Sequence, residues 1–260
     1  MNTGVDISLG EVAASLALIA LAVAISRWRR AGLEGDIAVA VLRSFVQLTA
    51  IGYVIQAIFD ADSLWLVAAL IAVMVVFGAF TARARARAVP GALAPLLVAL
   101  GTAGALTLGL VVALGIFEPT PRYLVPVGGM VIGNAMTAAA VALNRLGDDV
   151  RAHAAAIEAT LALGASARQA AAPVVRSALR SGMISLVDST KTTGLIFFPG
   201  TMVGMLLAGA EPTDAVRLQL ILLWVLLGSV AVSAVIATSL AYRGFFTAAH
   251  QLRELPPAES

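Results

Sequence analysis

The feature that most constrains this chain is a rhythm of long apolar runs separated by short breaks of charge, proline or glycine. A helix needs about 20 apolar residues to cross a hydrocarbon core of roughly 30 Å, and several runs reach that length. Seven read as spans: 7–26, 37–59, 64–80, 93–116, 123–143, 183–208 and 216–241. The third is short and the sixth is the most polar. A chain that is 60% hydrophobic and 12% charged, with mean hydropathy +0.95, carries more apolar surface than a soluble domain can bury. The expected fold is therefore an all-α membrane protein of about seven transmembrane helices. No cleavable leader is expected, because the first run follows Asp6 and Glu11 rather than basic residues.

Charge orients the spans. Of 17 basic residues, 13 fall in alternate breaks or the tail: Arg27, Arg29 and Arg30; Arg83, Arg85 and Arg87; Arg145, Arg151, Arg168, Arg176 and Arg180; Arg243 and Arg253. The opposite breaks hold Arg122 and Arg217 beside Asp60, Asp62, Glu118, Glu211 and Asp214. The positive-inside rule places the N-terminus outside and the C-terminus inside. Residues 1–243 then form one transmembrane domain, and 244–260 a short cytoplasmic tail whose polar end, LRELPPAES, is expected to fray. With no cysteine, disulfides and thiol chemistry are excluded.

The stretch 144–182 is the one sizeable cytoplasmic piece. Gly147-Asp148-Asp149 is expected to turn, His153 to Leu163 to form a helix, and Gly164 to end it. Ser166 is expected to cap the next helix, which Pro173 limits or kinks. Such a helix–turn–helix has three uses. It can read DNA, although its tether between two spans prevents it from lying along a groove. It can lie on anionic lipid through its arginines. Or it can dock a protein partner.

The third use has a family pattern. Glu158-Ala159, with Gly164 six residues after the Glu and then Pro173, resembles the E-A-A-x-x-x-G coupling loop of ATP-binding cassette (ABC) permeases; Thr160 departs from it. The resemblance implies that Glu158, Ala159, Gly164, Ala165, Ser166, Arg168 and Pro173 meet a separate ATPase subunit, which binds ATP and Mg. The phosphate-binding pattern G-x-x-x-x-G-K-[ST] does not occur around Lys191, the sole lysine. No cofactor is therefore expected on this chain, and nothing points to nucleic acid as a partner. "LRSFVQLTAIGYVI", "VPVGGMVIGNAMTAAAVALNRL" and "TTGLIFFPGTMVGMLLAGAEPTDAVRLQL" together look like the FetB-type iron-export permeases, to which plant permeases linked to aluminium tolerance are similar. That resemblance implies a multi-pass subunit of a bacterial plasma (inner) membrane, paired with a second copy of itself, that exports a metal ion such as iron.

Several groups stand out within the spans. Arg43 and Gln47 share a face one turn apart. Arg43 either snorkels to the headgroups or faces the bundle, and Gln47 lies too deep to escape. The fifth span carries Gly129, Met130, Gly133, Asn134 and Met136; the sixth carries Pro199, Gly200, Thr201, Met202, Gly204 and Met205. Their G-x-x-x-G spacings predict close helix contact in the outer half of the membrane, within one chain or across a dimer. Pro126 and Pro199 are expected to kink their helices. Asn134, Thr201 and the four methionines are candidates to line a substrate path, though methionine is also adaptable packing. Asp188, the only carboxylate in the six spans after the first, is placed near the inner end of the sixth, where it pairs with Lys191. His153 and His250 are both cytoplasmic, so the metal ligands remain unknown. A catalytic site is not expected, since no cysteine, histidine or carboxylate pair lies at depth. The competing readings are an ion-gradient-driven transporter for a metal or small solute, and an ABC permease for a non-metal substrate such as a nucleotide sugar.

Overall fold

A computed structural model describes residues 9–253. The start of the first expected span, 7–8, and the end of the tail, 254–260, lie outside the described residues. The described residues form α1 (Leu9–Arg29), α2 (Glu34–Ala61), α3 (Leu64–Arg85), α4 (Leu93–Ala113), α5 (Pro121–Ala152), α6 (Ala154–Ala162), α7 (Ala167–Thr192), α8 (Gly200–Leu207) and α9 (Pro212–Ala241). A short 3-10 turn, Tyr242–Phe245, closes the last helix. Six of these helices are long and apolar enough to cross a membrane: α1 to α5 and α9. The all-α membrane fold is as expected.

The sixth crossing differs. The sequence reads as one span over 183–208, but α7 starts 16 residues earlier and stops at Thr192, and the chain is non-helical to Pro199 before α8 begins. Polar residues explain the break. Ser189, Thr192 and Thr193 turn their hydroxyls back onto the Leu186, Asp188 and Ser189 carbonyls, which competes with continued helix. Gly194 then takes φ +84°, a conformation open to glycine at little cost. Pro199 does not kink a helix here. It is the N-cap of α8.

The expected loop 144–182 is mostly the ends of two long helices. The predicted turn at Gly147-Asp148-Asp149 is absent, and α5 runs through it to Ala152. The reason is packing: a Cβ on Gly147 would lie 2.6 Å from Ala88 Cβ, so this glycine admits a neighbour rather than a bend.

The hub is α5, which touches α2, α3, α4, α6, α7 and α9. An inner core gathers alanines of α3, α4, α5, α7 and α9 around Leu96, Leu100, Leu143, Leu146 and Phe245. An outer core sets Phe117 and Val131 against Leu222. Small residues let the helices approach: a Cβ on Gly182 would sit 2.7 Å from the Ala138 carbonyl oxygen. By contrast α2 buries a single residue, Ile58, which meets Val67 and Val125 at the outer end. The α1–α2 hairpin thus stands off the bundle over most of its length.

The tail does not fray through its first residues. Phe246 pairs with Leu252 in an isolated bridge, and Arg253 donates from its backbone N–H to the Phe245 carbonyl and from Nε to the Phe246 carbonyl.

Candidate functional site: a cytoplasmic elbow and a broken span

The elbow comprises α6, the turn at Gly164 and the start of α7. Its turn is a full Schellman arrangement: Ala165 N–H donates to the Thr160 carbonyl and Gly164 N–H to the Leu161 carbonyl. Gly164 holds φ +91°. Ser166 caps α7 in a reciprocal box: its Oγ accepts from Gln169 N–H, and Gln169 Oε1 accepts from Ser166 N–H. The expected helix, glycine stop and serine cap are all present.

Glu158, Ala159, Gly164 and Arg168 are exposed on this elbow, Ala165 and Ser166 are half-buried, and Pro173 is exposed within α7. Ile157 anchors α6 to the inner core. At the tip Leu163 is 89% exposed, a bare apolar knob one residue before the turn. The sequence reading missed it, although a leucine beside a helix-ending glycine is the available signal. The tail supports the elbow from behind: Ala167 N–H donates to His250 Nδ1 at 3.3 Å.

The elbow is stiffly joined to the spans. A cleft of about 400 Å³ between α5, α6 and α7 is lined by Arg145, Asp149, His153, Thr160, Pro173 and Ser177 among others. Arg145 Nε donates to Oδ2 of the buried Asp149 carboxylate at 3.0 Å and lies 3.0 Å from its Oδ1, and it reaches Ser177 Oγ on α7 at 3.4 Å. His153 Nδ1–H donates to the Asp149 carbonyl at 2.8 Å. These bonds join the inner ends of α5 and α7, and α6 is held beside them by Ile157 in the inner core.

In the spans, Thr201 Oγ1 lies 3.9 Å from Met130 Sδ, a single point of approach between α8 and α5. The glycines do not make that contact within one chain. A Cβ on Gly133, Gly200 or Gly204 would meet nothing within 4 Å, and one on Gly129 only Met74 Cε at 3.9 Å. Met202 is buried; Met130, Met136 and Met205 are half-buried. Asn134 is half-buried and donates from Nδ2 to the Met130 carbonyl one turn back, at 2.9 Å. Pro126 faces outward near the start of α5. Arg43 and Gln47 are exposed on the detached face of α2 and are not brought to the other candidates. Gln219 was not foreseen: it is 7% exposed in α9 and its Oε1 accepts no hydrogen bond. An amide inside the otherwise apolar run 218–223 was its signal.

Asp188 and Lys191 pair at 2.9 Å as expected, but not at the inner surface. Gly182 packs on Ala138 and Ala142 of α5, and Thr201, beyond the break, reaches Met130. The pair lies on α7 between those two levels. It therefore sits in the middle of the span that α5 makes over 123–143. The misplacement arose from counting the sixth span from residue 183, whereas α7 enters from Ala167. Among the described residues no three His, Cys, Asp or Glu side chains gather as a metal cage.

Comparison with known proteins follows this geometry. The model of a family described as "Uncharacterised protein family (UPF0014)" matches residues 9–246. A rice protein named "UPF0014 membrane protein STAR2" is 41% identical over 93% of this chain and 85% of its own. The Arabidopsis "Protein ALUMINUM SENSITIVE 3" is 41% identical over 93% and 88%. The Escherichia coli "Probable iron export permease protein FetB" is 35% identical over 95% of each chain. No solved structure matches.

Proposed function

Because the chain belongs to the UPF0014 family of membrane proteins, we propose that it is the permease subunit of an ABC transporter that exports a metal cation such as iron. It acts as a pair of copies in a bacterial plasma membrane. ATP and Mg bind a separate ATPase subunit, and the elbow Glu158–Pro173 seats in that subunit. The observation that carries this reading is the elbow itself. It is a capped helix pair that presents Glu158 and the bare Leu163 to the cytosol while Ile157 packs into the inner core shared with α5 and α7. A leucine exposed there offers apolar area that a partner can bury. Movement of α7 then displaces the broken segment Thr193–Pro199 directly. The relative named as an iron export permease supports the substrate and the direction.

The test is co-purification of the full chain with its nucleotide-binding subunit. Glu158→Lys, Gly164→Pro and Leu163→Asp are each expected to weaken association by on the order of tenfold or more. Melting of the Leu163→Asp chain alone should not change, since that side chain is almost fully exposed. Unchanged association in all three variants refutes the docking role. Iron uptake into inside-out vesicles bearing the assembled complex, with and without ATP, reads the substrate. The charged pair at mid-membrane favours one second reading, a carrier driven by an ion gradient. Transport without any ATPase subunit would establish that reading instead.

A further inference from the structure

The family reading supplies a cation path but no ligand for the cation. Among the described residues, Asp188 and Lys191 are the acidic and basic residues set at mid-depth, bracketed by the Gly182–Ala138 and Thr201–Met130 contacts. Their side chains are nevertheless 59% and 67% exposed. Charged groups at that depth face a water-filled cavity or protein, not lipid tails. This face of α7 is therefore a wall turned to water or to another protein surface, and not to lipid.

The rest of that wall is oxygen. Ser185, Asp188, Ser189 and Thr192 recur at helical spacing on one side of α7. The Ser189 and Thr192 hydroxyls donate back to backbone carbonyls, which spends their protons and leaves oxygen lone pairs as acceptors. Just beyond, in the break, the carbonyls of Thr193, Gly194, Leu195, Ile196 and Phe198 accept no hydrogen bond among the described residues. Non-helical backbone at membrane depth is tolerated where it lines a cavity or is covered by protein, and unwound carbonyls beside a half-helix end are a recurrent means of holding cations in carriers.

Resting on the permease reading, we propose that Asp188 is the cation-binding carboxylate of the translocation path and that Lys191 is its tethered counter-ion, displaced when a cation enters. The site takes a divalent cation that accepts carboxylate, carbonyl and water oxygens, the class to which Mn²⁺ belongs. In the empty state the Lys191 ammonium, 2.9 Å from Asp188 Oδ1, keeps the carboxylate paired. An arriving cation replaces it, and the lysine swings aside. A single carboxylate with neutral oxygens binds weakly enough to release, as conduction requires.

The experiment uses the full chain in lipid nanodiscs with Mn²⁺ as probe, read by electron paramagnetic resonance. Asp188→Asn is expected to abolish saturable Mn²⁺ binding. Lys191→Gln is expected to tighten it by on the order of three- to tenfold, because an exposed ion pair that competes with the metal is removed. Binding that survives Asp188→Asn, or that Lys191→Gln leaves unchanged or weakens, overturns the proposal. A second measurement does not depend on the folding of either variant. The chain has no cysteine of its own, so Ser185→Cys gives a unique thiol on the same wall. It should react with a membrane-impermeant thiol reagent and react several-fold more slowly with Mn²⁺ present; a thiol that is inert, or one indifferent to Mn²⁺, also overturns it. Failure here with retained ATPase association leaves the permease reading standing. Loss of ATPase association in the unmodified chain would refute that reading whatever Mn²⁺ does.

Discussion

Glycine carries two different messages in this chain, and only surroundings separate them. Gly164 and Gly194 hold left-handed backbone at helix ends, as their places after helix-forming stretches suggest. Gly147 and Gly182 are mid-helix and serve contact, the one with Ala88 and the other with the Ala138 carbonyl. Gly147 was misread as a turn because GDD is a turn sequence wherever no neighbour presses on it. The contact role is testable. Gly182→Val should destabilise the protein by about 1–3 kcal/mol through overpacking against backbone that cannot yield, read as a lower melting temperature in detergent. Gly133→Val should have little effect on that measurement, since a Cβ there meets nothing. Equal losses in the two variants would contradict the packing described.

At the level of elements, the tail is an example of order that composition hides. A polar, proline-bearing terminus reads as frayed, yet its first residues turn back and place His250 Nδ1 against the first N–H of α7. That bond spans 83 residues of sequence, and no local pattern signals it. His250→Ala should cost about 0.5–1.5 kcal/mol, with faster hydrogen exchange confined to Ala167 and the elbow turn. A second element-scale expectation concerns the α1–α2 hairpin. Glu34 begins α2, and its own backbone N–H, followed by the Ser26 hydroxyl at 2.9 Å, holds its carboxyl below the ordinary carboxylate range. A lowered folded-state value means the contribution is present above the unfolded value and is lost as pH falls through the folded one. Protection of Leu33, whose N–H is held by Ser26 Oγ, measured relative to the intrinsic exchange rate at each pH, should therefore fall once the medium becomes acidic enough to protonate Glu34. In Glu34→Gln that pH dependence should disappear.

For the whole molecule, the informative surface is the one left open. Gly129, Gly133, Gly200 and Gly204 lack the close contact that their spacing predicts, and the α1–α2 hairpin with Arg43 and Gln47 stands apart. A second copy packed on the α5–α8 face would give these groups partners, in keeping with the paired permease proposed. Thr137 is exposed on that face of α5. Thr137→Cys should form a disulfide-linked dimer on mild oxidation in the membrane, whereas Leu110→Cys, exposed on α4, should remain monomeric. The opposite pattern would assign the interface elsewhere.

Hydropathy was enough to indicate a multi-span helical membrane protein, because lipid forces backbone hydrogen bonds into helices; the arginine bias is the argument for placing the elbow inside. The elbow's stop and cap were equally readable, being local chemistry of Gly164 and Ser166. Three things came only from packing: the break after Thr192, the mid-membrane depth of Asp188 and Lys191, and the docked tail. Each depends on which residue of α5 or α7 stands beside it, a relation between distant segments that no window of sequence contains.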